Sequence, residues 1–253
     1  MPSLLPWMIA TVLVAPQSSE TLLLQSPTVS DDHVVFVYAG DLWIVTRDGG
    51  DARRLTSDRG IESAPHLSPD GNSVAYSAQY DGNTDVYLLP IAGGQPRRLT
   101  WHPGRDSVLY WHPGVNKILF SSSRDTGTGV TRLFEVSTSG GTPQPLPIPR
   151  ASHASYSPDA SHIAYTPYRD AFWSWKRYRG GRVNRVWIYD TNSHKVEEVP
   201  RVNASDSFPA FLGKDVYFGS DRTDRMALYR FRPGSEAPEL CSTDSEFDVR
   251  SLS

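Results

Sequence analysis

Pro65-His66-Leu67-Ser68-Pro69-Asp70-Gly71, then Val74-Ala75-Tyr76-Ser77, Asp81-Gly82-Asn83-Thr84-Asp85-Val86-Tyr87, Gly93-Gly94 and Arg98-Leu99-Thr100 form one unit of a repeat that runs along the chain. Its second segment recurs as Val35-Phe36-Val37, Val74-Ala75-Tyr76, Ile118-Leu119-Phe120, Ile163-Ala164-Tyr165 and Val216-Tyr217-Phe218. Its third segment recurs as the aliphatic–aromatic pairs Leu42-Trp43, Val86-Tyr87, Leu133-Phe134, Val186-Trp187 and Leu228-Tyr229. Glycine pairs follow three of these, at Gly49-Gly50, Gly93-Gly94 and Gly140-Gly141, where a tight hairpin needs positive φ without a Cβ penalty. Unit ends at Leu55, Leu99, Leu146, Val199 and Leu240 give steps of 44, 47, 53 and 41 residues. Short β-rich runs at that period, apolar on both faces and parted by Gly, Pro, Asn and Asp, predict four-stranded blades of a β-propeller. The expected fold is all-β, with five complete blades. Phe247-Asp248-Val249-Arg250-Ser251-Leu252-Ser253 matches the run into Leu67-Ser68 and is expected to begin a sixth. An open ring of this kind is expected to expose apolar blade faces and an unpaired edge, and to fold poorly alone.

Composition narrows the functions available. The 253 residues carry 25 Lys+Arg against 28 Asp+Glu, a net charge of −3, which argues against nucleic acid or an anionic membrane as the main partner. The single cysteine, Cys241, excludes an intrachain disulfide, a Cys-based zinc site and an iron–sulfur cluster. No Gly-x-Ser-x-Gly elbow occurs, and Thr126-Gly127-Thr128-Gly129 lacks the spacing of a phosphate or dinucleotide loop. The seven histidines show no i, i+4 ligand spacing and read as turn and surface residues. Asp81 to Asp85 is a turn rather than a calcium loop, because the closing bidentate Glu is missing. No catalytic residue, metal or cofactor is expected in the chain. Trp7 to Ala15 is an apolar run too short to span a bilayer; residues 1–20 read as a signal peptide or a disordered N-terminus, with the propeller over 22–253. That favours a periplasmic or secreted protein, with a cytoplasmic one as the alternative.

The Ser-Pro-Asp-Gly repeat with its aliphatic-Ala-Tyr, Asp-aliphatic-aromatic and Arg-Leu-Thr segments resembles the TolB-type propeller repeat. Three further stretches narrow the likeness: Val37-Tyr38-Ala39-Gly40-Asp41-Leu42-Trp43, Gln79 through Tyr87, and Trp175-Lys176-Arg177-Tyr178-Arg179-Gly180-Gly181 ahead of Val186-Trp187-Ile188-Tyr189-Asp190. In this order they resemble the N-terminal propeller of tricorn-type serine peptidases, from about residue 22 to the last residue. The resemblance implies a six-bladed propeller followed by a seven-bladed one, a PDZ domain and a serine peptidase core, with the propellers gating peptides. This chain is then a non-catalytic fragment whose partners are peptide substrates and the C-terminal domains of the same protein, with homo-oligomers also compatible. The alternative is a stand-alone TolB-like propeller acting as a protein-binding scaffold in the cell envelope.

One unit is anomalous. Between second-strand and third-strand aromatics the units count 7, 11, 14, 22 and 11 residues, so the fourth carries an insertion. Residues 169–185 hold six cations and one anion, with Tyr168, Phe172, Trp173, Trp175 and Tyr178 interleaved. In an antiparallel blade this loop shares a face with the blade-to-blade connections, which places it on the same side as Trp101-His102-Pro103-Gly104-Arg105. Trp175, Lys176, Arg177, Tyr178, Arg179 and Arg105 are therefore the candidate binding residues. They suit docking of another domain or subunit, capture of a peptide carboxylate by Arg forks, or a plug between blades with Arg paired to Asp. Single-stranded nucleic acid is disfavoured by the acidic remainder of the chain.

Overall fold

The computed structural model describes residues 23–126, 129–171, 175–242, 248, 249 and 252. The apolar run at 7–15, Phe172, Trp173 and most of the run from Phe247 onward lie outside the described residues.

Among the described residues twenty strands form five antiparallel four-stranded sheets, each in simple sequential order. Blade one is β1 (Gln25–Val29), β2 (His33–Tyr38), β3 (Asp41–Thr46) and β4 (Arg53–Arg54). Blade two is β5 (Glu62–Leu67), β6 (Ser73–Ala78), β7 (Asp85–Pro90) and β8 (Arg97–Arg98). Blade three is β9 (Asp106–Trp111), β10 (Lys117–Ser122), β11 (Arg132–Ser137) and β12 (Gln144–Pro145). Blade four is β13 (His153–Tyr156), β14 (His162–Thr166), β15 (Trp187–Asp190) and β16 (Val196–Glu198). Blade five is β17 (Asp206–Leu212), β18 (Asp215–Ser220), β19 (Ala227–Phe231) and β20 (Glu239–Leu240). The first strands lie innermost, each against the next, from β1 through β5, β9 and β13 to β17. Among the described residues no helix is long and apolar enough to cross a membrane.

Because blades are sandwiched, their middle strands are buried on both faces. β6, β10 and β14 are buried at every position after the first. The packing unit is the joint between neighbours: Val35, Val37, Leu42 and Ile44 of blade one close on Leu67, Val74, Tyr76, Ala78, Tyr87 and Leu89 of blade two. Second-strand and third-strand aromatics stack at 5.8 Å for Tyr76–Tyr87, 5.7 Å for Phe120–Phe134 and 6.1 Å for Phe218–Tyr229. Blade one differs. β2 alternates between buried and half-buried positions, so Val34, Phe36 and Tyr38 form a partly covered outer face. Val29 and Leu212, 55% and 70% exposed, flank an axial cleft of about 770 Å³ also lined by His66, Trp111, Tyr217 and Leu252.

Two backbone bonds recur with the repeat. The fourth strand closes on the third through Leu55, Leu99, Leu146, Val199 and Cys241, whose N–H groups donate to Leu42, Val86, Leu133, Val186 and Leu228 at 2.7–3.0 Å. The fifth unit thus ends on Cys241, and Leu240 is 41% exposed; the sequence reading, which sought an aliphatic residue there, falls one residue short. The next blade then begins on the carbonyl two residues before that same aliphatic position. Glu62, Asp106, Ala151, Asp206 and Val249 donate to Gly40, Thr84, Thr131, Asn184 and Met226 at 2.8–3.0 Å. Val249 therefore leaves blade five as the other blades' first strands leave theirs. In three blades a hydroxyl completes the closure, with Thr56, Thr100 and Ser242 accepting from Leu42, Val86 and Leu228 N–H at 2.8–3.0 Å. The glycine pairs hold the turns as expected, with φ of 94° and 115°, 98° and 127°, and 91° and 109°.

Two internal ion pairs lock blades three and five. Arg124 bonds Asp106 at 2.5 Å and lies over Phe120 and Phe134, while Arg222 bonds Asp206 at 3.0 Å and lies over Phe218 and Tyr229. All four charged side chains are at most 11% exposed. Burial outweighs the arginine at Asp206 and raises its pKa. Removing the cation alone strands that carboxylate, so Arg222→Ala is expected to cost about 3–5 kcal/mol in a urea unfolding measurement.

Candidate functional site

The insertion of blade four is built on a side-chain clamp. Asn184 is 1% exposed; its Oδ1 accepts from Tyr168 N–H at 2.9 Å and its Nδ2 donates to Tyr168 O at 2.7 Å. This closes the loop at its base, where β14 ends and the path to β15 resumes. Within the loop Trp175 N–H donates to Ala171 O at 2.8 Å and Val183 N–H to Gly180 O at 3.1 Å. The Trp175 and Tyr178 rings meet edge to face at 5.9 Å. A Cβ at Gly180 would meet the Tyr178 ring and hydroxyl, so a larger residue there would have to displace the ring.

From this base the cations reach away from their own blade. Arg179 Nη1 bonds Asp221 Oδ2 at 2.7 Å. Asp221 is 3% exposed, and its other oxygen accepts from Ser205 N–H at 2.7 Å. Arg177 Nε donates to Asp224 O at 3.1 Å, and Lys176 Nζ bonds Asp248 Oδ2 at 2.6 Å. Asp248 Oδ1 in turn accepts from Met226 N–H at 3.1 Å. The insertion thus spans from blade four to blade five and to the segment leaving it. The plug reading, with arginine paired to aspartate, describes Arg179; Trp175 is left 67% exposed, with Arg177 and Arg182 exposed near it in sequence.

The repeated crossover bonds place second-to-third loops and blade connections on one face, as the topology requires. Arg105 stands there, exposed and donating to Ser107 Oγ at 3.3 Å, in the connection from blade two to blade three. The bonds of the insertion run to blade five rather than to Arg105. Near Arg105, Trp101 is 64% exposed with the Arg98 guanidinium 5.9 Å from its ring. Asp81 and Asp85 both bind Arg98, at 2.9 and 2.6 Å, which gives the turn over 81–85 its role.

Sequence reasoning missed the acidic partners, because Asp221 and Asp248 lie beyond blade four and only the packing of blade five against it brings them in. It also placed all the histidines on the surface. His66 and His153 stand in innermost strands, where burial lowers both pKa values to about 4; His153 also packs edge to face on Phe208 at 4.7 Å. Among the described residues no group of three or more His, Cys, Asp or Glu is placed to hold a metal ion.

Five antiparallel four-stranded sheets around an axis define a β-propeller. The chain belongs to the family of tricorn protease N-terminal beta propeller domains, whose model matches residues 21–253. It is 28% identical over 215 residues to tricorn protease homolog 1 of Streptomyces coelicolor, covering 84% of this chain and 20% of that protein. The crystal structure of the tricorn protease superposes with a TM-score of 0.79 at 22% identity, over 89% of this chain and 23% of that one. TolB from Acinetobacter baumannii gives 0.66 at 21% identity, over 86% and 55%. The chain spans about a fifth of the length of that Streptomyces protein and of the tricorn protease of Thermoplasma acidophilum.

Arg179→Ala leaves the buried Asp221 without its cation and is expected to cost about 1.5–3 kcal/mol. Arg177→Ala removes one exposed bond to a carbonyl and is expected to stay within about 0.5 kcal/mol. Parallel urea titrations of the two variants check the contrast.

Proposed function

We propose that this propeller is the non-catalytic N-terminal module of a tricorn-like serine peptidase, gating and scaffolding peptide substrates for a peptidase core carried elsewhere in the same protein. Membership of the tricorn N-terminal propeller family carries this reading. The insertion supports it: with Arg179 and Lys176 engaged in bracing blade five, the exposed Trp175 and Arg177 remain as contacts for a passing peptide or for the peptidase portion. An exposed tryptophan with an exposed arginine two residues on is the composition of an interface anchor. Export to the periplasm or outside the cell belongs to the same proposal and rests on the apolar run from Trp7 to Ala15; N-terminal sequencing of the protein from its host tests it, cleavage after that run supporting export.

The test uses the polypeptide that carries this propeller together with its peptidase core. Trp175→Ala with Arg177→Ala is expected to lower kcat/KM for peptide substrates about tenfold, the loss of one anchor worth ~1.4 kcal/mol, while assembly size by light scattering stays unchanged. A fall in assembly size along with activity would reassign the two residues to docking. Unaltered kinetics and assembly would remove them from both roles. A gene encoding no peptidase core beyond this propeller would favour the stand-alone TolB-like scaffold.

A further inference from the structure

Blades two, three and five each open on a buried carboxylate: Glu62, Asp106 and Asp206 are 1%, 0% and 3% exposed. In blades three and five the residue two places after the second strand is the arginine that pairs with it, Arg124 or Arg222. In blade two that place holds Tyr80. Glu62 is therefore the one of the three with no arginine at that place. Its Oε2 accepts from Thr56 Oγ1 at 3.0 Å, and its buried Oε1 has no hydrogen-bond partner. The Tyr80 hydroxyl shares a bond with the Tyr76 hydroxyl at 3.2 Å, and the Tyr80 ring packs on Tyr87 at 4.8 Å.

The groups around Glu62 do not supply the missing charge. From β3 comes Asp41, already bound by Arg54 of β4 at 2.7 Å. The loop before β5 brings Asp58, with the exposed Arg59 beside it in sequence. On β7 and β8, Asp85 and Arg98 are bound to each other at 2.6 Å. β1 contains no titratable side chain, and β2 has Tyr38 at this end and His33 at the other. On β9, Asp106 is held by its own Arg124. Burial, opposed by the Tyr80 and Thr56 hydrogen bonds and assisted by Asp41 and Asp58, raises the Glu62 pKa from 4.5 to about 7.

We propose that the seam between blades one and two is a proton-dependent joint, tight while Glu62 keeps its proton and loosened when the carboxyl ionises. The seams that open on Asp106 and Asp206 carry an arginine against the carboxylate, which the Glu62 seam lacks. The inference is independent of the peptidase reading. An unfolded glutamate ionises near 4.5 and the folded one near 7, so the stability this group contributes is full below pH 4.5. It is lost as pH rises through 7 and is level above that.

Unfolding of the full chain in urea, beside Glu62→Gln, tests it. Between pH 5 and pH 8 the unfolding constant of the wild-type chain is expected to rise about 70-fold relative to that of Glu62→Gln. An unchanged ratio would overturn the proposal. Carbon-13 carboxyl NMR of the folded wild-type chain decides the matter even where Glu62→Gln does not fold. A Glu62 midpoint near 7, with Leu42 and Leu67 resonances across the seam moving at the same midpoint, supports the joint; a midpoint below about 5.5, or an unmoved seam, contradicts it.

Discussion

Burial of each blade on two faces is the constraint on which the structure depends. A four-stranded sheet whose strands are apolar on both sides cannot stand alone in water, because either face left open exposes several large side chains. Each blade is therefore stabilised by its neighbours, and the backbone bond from the start of one blade to the third strand of the last fixes the spacing between them. Among the described residues blades two to four have neighbours on both sides and blade one on one side, and its half-buried Phe36 and Trp43 stand where the other blades bury Tyr76 and Tyr87 or Phe120 and Phe134.

The same constraint arranges the candidate functional face. Since every crossover starts beside the second-to-third loop, a long loop in blade four falls against the corresponding loop of blade five. The cations of the insertion become struts before they become a surface. Polarity within such a pair is free to reverse while its place is kept. Asp41–Arg54 and Asp85–Arg98 link the start of the third strand to the fourth in blades one and two. Arg185–Glu198 does so in blade four with the charges exchanged, at 3.6 Å. Geometry at that place is set by the blade, and either sign satisfies it.

Much of the architecture was legible in the sequence because it is local and repeated. Aliphatic–aromatic pairs located the third strands, glycine pairs located turns that need positive φ, and the period separated the blades. What escaped was either degenerate or long-range. Cys241 fills the last closing position because only its backbone N–H is required there. Arg124 and Arg222 were invisible as locks because their carboxylates lie 18 and 16 residues away across the blade. The insertion was found by its length, yet the partners of Lys176 and Arg179 lie 72 and 42 residues off, and no local pattern announces them. Arg105 was grouped with these residues through a shared face, and that face is all the structure gives them in common.

Native-state hydrogen exchange across the second strands tests the dependence on two-sided burial most directly. Amides of β2 are expected to exchange well ahead of those in β6, β10 and β14, since blade one has a partly covered outer face and the other three are enclosed. Protection of β2 equal to that of β6, β10 and β14 would contradict the account, because blade stability would then not depend on a neighbour at each face.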